Sequence, residues 1–128
     1  QWGTCFGYDR CLGVIDEDKN LKGAIFIAGY NGADIQFSYY GENTLRPWIV
    51  KFLAKFIIQE FDPSRVTSIV TKRNKRLIRS LQRFGCKLEG VQHCYYGKQD
   101  CNRNTGVRLV MFRNRLDQLA SFSLKKVA

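Results

Sequence analysis

The sequence predicts a mixed α/β (α+β) domain, and three observations carry that expectation. β-branched and aromatic runs alternate with two amphipathic helical stretches, in the order β-β-β-α-β-α-β-β. The first forty residues read as a meander of three antiparallel strands divided by turn signals. Residues 74–90, NKRLIRSLQRFGCKLEG, place an apolar helix face, a glycine stop and a new strand start in one run.

At 128 residues the chain suits a single domain with one core, expected over residues 10–113, with a tail over 114–128. Cys11 to Asp16 reads as a short strand and Asp16-Glu-Asp-Lys-Asn20 as a polar turn. Leu21 to Tyr30 is a strand whose centre, Ala24 to Ala28, is apolar on both faces. Asn31-Gly32 signals a two-residue hairpin. Ala33 to Tyr40 alternates, with Ile35, Phe37 and Tyr39 on one side and Asp34, Gln36 and Ser38 on the other. Thr44 is placed to cap a helix over 45–60, and Pro47 is tolerated in its first turn. Trp48, Ile49, Phe52, Leu53, Phe56 and Ile57 make that helix apolar over more than half its circumference, so deep burial is expected. Asp62-Pro63-Ser64 ends it.

Val66 to Val70 is the next strand. The helix after Asn74 turns Leu77, Ile78, Leu81 and Phe84 to one side, and Gly85 supplies the left-handed stop. Strand Lys87–Tyr95, a polar loop over 97–106 and strand Val107–Arg113 follow. A short helix that frays completes the chain.

The formal net charge is +10, and it is unevenly spread. Residues 1–60 hold six Lys/Arg and seven Asp/Glu; residues 61–128 hold fifteen and four. The second half therefore suits an anionic partner: a phosphorylated cofactor, nucleic acid or an acidic protein. The alternative is a solvated basic face that aids solubility. Five cysteines match no zinc spacing, and Cys94, Cys101 and His93 form only a loose cluster, so reduced thiols and no metal are expected. No signal peptide is visible at Gln1, and Lys51, Lys55, Gln59 and Glu60 interrupt the longest apolar run. The expectation is a cytoplasmic protein of a bacterium or a phage-infected cell, or a virion component, with no membrane partner.

Asn74, Gly85 eleven residues on, and Cys86-Lys-Leu-Glu89-Gly90 together resemble the Asn…Gly-Phe-x-x-Glu-Gly signature of the GNAT N-acetyltransferases. The nearest branch looks like the ribosomal-protein N-acetyltransferases. Val110-Met-Phe-Arg113 lends weaker support, and the order of elements from Cys11 to Arg113 fits. The resemblance implies a GNAT-like mixed, mostly antiparallel central sheet with helices packed on its faces. It implies acetyl transfer from acetyl-CoA to an amine on a protein, a small molecule or a tRNA-linked group. Phe37, Ser38 and Tyr39 would offer backbone groups to the pantetheine and the thioester carbonyl. Gly41, Thr44, Leu45 and Arg46 would receive the pyrophosphate. Asn74 would face the pantetheine or the leaving thiolate. Lys72, Arg73, Lys75 or Arg79 would meet the 3′-phosphate.

The sequence departs from the family pattern in three places. Tyr40-Gly-Glu-Asn-Thr-Leu-Arg46 has one glycine and an acid where the family's phosphate loop is glycine-rich. Leu81 stands where many members carry a tyrosine that protonates the thiolate. The family's opening strand and helix pair have no counterpart before the first strand.

Residue by residue, alternatives stand side by side. Asn74 is either a helix cap or a cofactor contact. His93, the only histidine, is a candidate base or a structural strand residue. Tyr95 and Tyr96 are candidates for proton transfer, and adjacent strand positions would let only one of them line a given cleft. Glu89 reads as structural. A rival reading of the basic half runs Lys72, Arg73, Lys75, Arg76, Arg79 and Arg83 along a nucleic acid, as a non-catalytic binding protein.

Overall fold

The computed structural model describes residues 10–41 and 46–121. Six strands and three α-helices follow in the order β1 (Arg10–Ile15), β2 (Leu21–Ala28), β3 (Asp34–Gly41), α1 (Pro47–Phe61), β4 (Arg65–Thr71), α2 (Lys75–Phe84), β5 (Lys87–Gln92), β6 (Gly106–Phe112) and α3 (Arg113–Ala120). They form one sheet in the order β1-β2-β3-β4-β6-β5. All neighbours are antiparallel except β3 and β4, which α1 joins as a parallel crossover.

The meander is as expected, but its second turn is longer than Asn31-Gly32 predicts. Residues 29–33 make the connection. Asn31 Oδ1 accepts from the Ala33 and Asp34 amides at 2.9 and 2.8 Å, so the side chain, not a two-residue turn, sets the bend. Gly29 and Gly32 supply the positive φ it needs.

Helix α1 starts at Pro47, with Arg46 as a cap that offers no side-chain bond. The expected cap, Thr44, lies outside the described residues. Ile49, Val50, Leu53, Ala54 and Ile57 are buried, whereas Trp48 and Phe52 are half exposed, at 52% and 55%. The helix has only one sheet face to cover, so the deep burial expected of its apolar residues holds on one side and not at Trp48 and Phe52.

In α2, Asn74 Oδ1 accepts from the Leu77 amide at 3.2 Å, and Gly85 ends the helix at φ 112°. Strand β5 stops at Gln92, three residues before the expected end. Its last partner is Gly106, where β6 begins, and Cys94 turns the chain at φ 56°. The tail folds further than expected. Leu116 and Leu119 of α3 are buried, and α3 packs on α1.

Val50, Leu53 and Ala54 of α1, Leu81 and Phe84 of α2, and Leu116 and Leu119 of α3 ring one small apolar gap over Phe37, Val66 and Met111. The three helices therefore share one sheet face, and the core lies there. On the opposite face Thr67, fully buried, donates to Asp34 Oδ1 at 2.7 Å. Arg65 lies between Asp34 and Glu89 and hydrogen-bonds the latter. The Glu89 carboxyl is held below its ordinary range, chiefly by that bond. This polar cluster ties β3, β4 and β5 together beside the parallel junction.

Candidate functional site

The parallel pairing of β3 with β4 is short. It joins Asp34, Ile35 and Gln36 to Arg65, Val66 and Thr67, and then stops. Beyond it the strands diverge around a cleft of about 310 Å³. Residues 36–40 of β3 line it, with Ser68 to Thr71 of β4, Asn74, Leu77 and Leu81 of α2, and Tyr95 and Tyr96. Consecutive strand residues point to opposite faces, and both sets line the cleft. The opening therefore runs through the sheet, from the helix-covered face to the other.

Backbone direction matters as much as side chains. Ser64 and Lys72, at the two ends of β4, bond Arg113 and Thr105 on the β6 side. Antiparallel alternation then turns the amides and carbonyls of Arg65, Thr67, Ile69 and Thr71 toward β3. The Arg65 amide bonds Ala33 O at 3.1 Å. Past the junction, the amide and carbonyl of Ile69 and the amide of Thr71 aim into the cleft, while the Thr71 carbonyl accepts from the Asn74 amide at 2.9 Å. Tyr96 Oη donates to Ile69 O at 3.1 Å, as that direction requires.

Tyr95 and Tyr96 come from an excursion between β5 and β6 held by its own bonds. The Tyr96 amide donates to Asn104 O at 3.0 Å, Asn104 Nδ2 to Gln99 O at 2.8 Å, and Thr105 Oγ1 to Cys101 O at 2.8 Å. The two rings meet edge to face at 4.8 Å. Both line the cleft, against the expectation for strand neighbours, because they sit in a turn rather than on β5. Burial, helped by Tyr95 and Tyr40, pushes the Tyr96 phenol up to about 12. Burial also raises Tyr39, with Arg46 acting in the opposite sense, which places the Arg46 charge within reach of the cleft wall.

The expected site residues do not all meet at the cleft. Phe37, Ser38, Tyr39, Asn74 and Tyr95 line the cleft. Gly41 packs on β2 instead: a Cβ there would lie 2.6 Å from Lys22 O. Arg46 flanks the first turn of α1, and Lys72 and Arg73 sit in the exposed turn before α2; Thr44 and Leu45 lie outside the described residues. His93 does not line the cleft. It is exposed, with Nδ1 3.2 Å from Asp100 Oδ1. Arg79 is on the outer side of α2, where it borders a groove with Arg76, Ser80 and Arg83.

Leu81 lines the cleft as an apolar wall and is buried. Sequence reasoning missed Tyr40, Ile69 and Thr71 as wall residues, and the only signal for them was their place at the ends of the two strands. Among the described residues no three His, Cys, Asp or Glu side chains converge as a metal site, and Cys86, Cys94 and Cys101 are free thiols. No helix among them is long and apolar enough to cross a membrane.

No family model matches the chain, and no curated protein matches it. Solved structures do. Spermidine/spermine N-acetyltransferase SpeG from Vibrio cholerae, in complex with manganese ions, superposes with a TM-score of 0.71 at 13% identity, over 85% of this chain and 68% of that one. A chimera of the Vibrio cholerae SpeG with hSSAT gives 0.70 at 14% identity, over 85% and 71%. Mutant forms of the same SpeG give 0.69 at 14%, over 85% and 67%. The fold is that of the GNAT N-acetyltransferases: a mostly antiparallel sheet parted between one parallel strand pair.

Proposed function

We propose that the protein is an acyl-CoA-dependent N-acyltransferase that moves an acetyl group from acetyl-CoA to an amine. The observation that carries this reading is the parting of β3 from β4, which leaves the Ile69 and Thr71 amides aimed into the cleft between them. An extended, amide-bearing arm can bond to such edges as an added strand would. The residues at the cleft's ends suit the rest of the carrier. Pro47 lacks an amide hydrogen, and the first turn of α1 has no side-chain cap, so the Trp48 and Ile49 amides suit an anion. Arg46, Lys72 and Arg73 add positive charge nearby.

Acetyl-CoA supplies the activated acyl group; the chain supplies position and hydrogen bonds. Asn74 has two roles available at once. Its Oδ1 caps α2, while its amide Nδ2 can donate to a group in the cleft. Tyr40, Tyr95 and Tyr96 line the part of the wall where an amine would meet aromatic faces. Tyr96, whose hydroxyl donates to Ile69 O, would turn that one proton to the departing sulfur, a task that Leu81 cannot perform. Because its phenol stays neutral well past neutral pH, it acts by hydrogen bonding rather than by releasing its proton.

Calorimetric titration with acetyl-CoA tests the reading. Micromolar binding is expected, and an absence of binding at millimolar ligand overturns it. Asn74→Asp keeps the helix cap and removes the donor, so it should weaken binding about tenfold at unchanged stability. Tyr96→Phe should lower transfer to a polyamine or peptide acceptor about tenfold or more, with Tyr95→Phe nearer to wild type.

A further inference from the structure

The charge on α2 is not explained by the cleft. Residues 63–88 contain no Asp or Glu and eight Lys or Arg. The ion pairs among the described residues engage Arg10, Lys22, Arg65, His93 and Arg113, and none reaches Arg76, Arg79 or Arg83. These three arginines border one groove with Ser80. They are exposed.

Helix geometry separates this groove from the cleft. At about 100° per residue, Arg76, Arg79 and Arg83 fall within an arc of roughly 60°, centred on the side of α2 away from Leu77 and Leu81. Leu77 and Leu81 line the cleft, so a ligand held there lies across the helix from the arginines. The phosphates of a carrier in the cleft therefore leave this row uncompensated.

We infer that the outer face of α2 docks the phosphate backbone of a single-stranded nucleic acid. The row is all arginine, whose planar fork bonds phosphate oxygens in pairs, where a solubilising face would serve as well with lysine. The helix rise spaces the three about 4.5 and 6 Å apart along one line, which suits successive phosphates of one strand. No aromatic side chain borders the groove, so contact is to the backbone and independent of base sequence. Lys75, exposed in the first turn of the helix, extends the track. This surface does not depend on transfer chemistry in the cleft.

Fluorescence anisotropy with a labelled oligouridylate of about 20 nucleotides tests the inference on the full chain. Binding should weaken with salt. The triple change Arg76→Gln, Arg79→Gln and Arg83→Gln should reduce affinity at least about tenfold and flatten the log–log salt slope by about 2, the share of three phosphate contacts. Glutamine is a good helix former, and circular dichroism should show the helix intact. Lys51→Gln with Lys55→Gln, which removes two charges from α1, should leave binding near wild type. Equal loss in that control overturns the inference, because general charge would then suffice. Equal competition by polyglutamate overturns it in favour of an acidic protein. A matching loss of acetyl-CoA affinity in the triple variant overturns it in favour of the cleft ligand.

Discussion

Asn74 caps α2 through the Leu77 amide and Glu89 pairs with Arg65, and each contribution can be measured separately. Replacing Asn74 with Ala removes both the cap and the free amide, so stability should fall by about 1 kcal/mol as ligand affinity falls. The Asp variant should lose affinity alone, and chemical denaturation of both separates the two contributions. Glu89 titrates below its ordinary 4.5 because Arg65 bonds its charged form. The folded state thus takes up this proton less readily than the unfolded chain does. The stabilisation is complete above about 4.5 and fades as pH falls through the folded value. Glu89→Gln should melt below wild type at pH 7, and that gap should close as the pH falls below 4.5 and through the folded value. A gap that stayed constant with pH would rule out the ion pair as its source.

Among the elements, α2 was the most legible. Its apolar spacing, its Asn start and its Gly stop are local, so the sequence alone placed it within a residue. Gly85 has a further constraint that the sequence hid: a Cβ there would meet Arg115 Nε at 2.5 Å, and Arg115 donates to Phe84 O at 2.7 Å. Gly85→Ala should cost roughly 1–3 kcal/mol from the left-handed backbone alone, measured by urea denaturation. Elements whose ends depend on distant partners were less legible. Strand β5 stops where its partner β6 begins, some fourteen residues later in the chain, and no local signal at His93 marks that point. The tail was under-read for the same reason. Leu116 and Leu119 look like surface spacing until α1 is beside them. Leu116→Ala should cost about 2–4 kcal/mol, again by denaturation, although the residue lies beyond the expected core.

At the scale of the whole molecule, the sheet is two antiparallel halves, β1-β2-β3 and β4-β6-β5, joined by one short parallel seam and by α1. The order of elements and the resemblance together pointed to this plan. The cleft's true walls did not follow, because Tyr95 and Tyr96 reach it only through an excursion that is folded back by Asn104 and Thr105. His93 and Arg79 were drawn into the site by residue type and lie elsewhere, one beside Asp100 and one across a helix. The seam also has a consequence for deuterium uptake. Along β4 the amides of Val66, Ser68 and Val70 are latched to β6, while those of Ile69 and Thr71 look into open space. Side by side in one strand, the first set should exchange slowly and the second quickly. A bound guest lying along the gap would erase that stripe, so the label itself would report occupancy of the seam, one residue at a time.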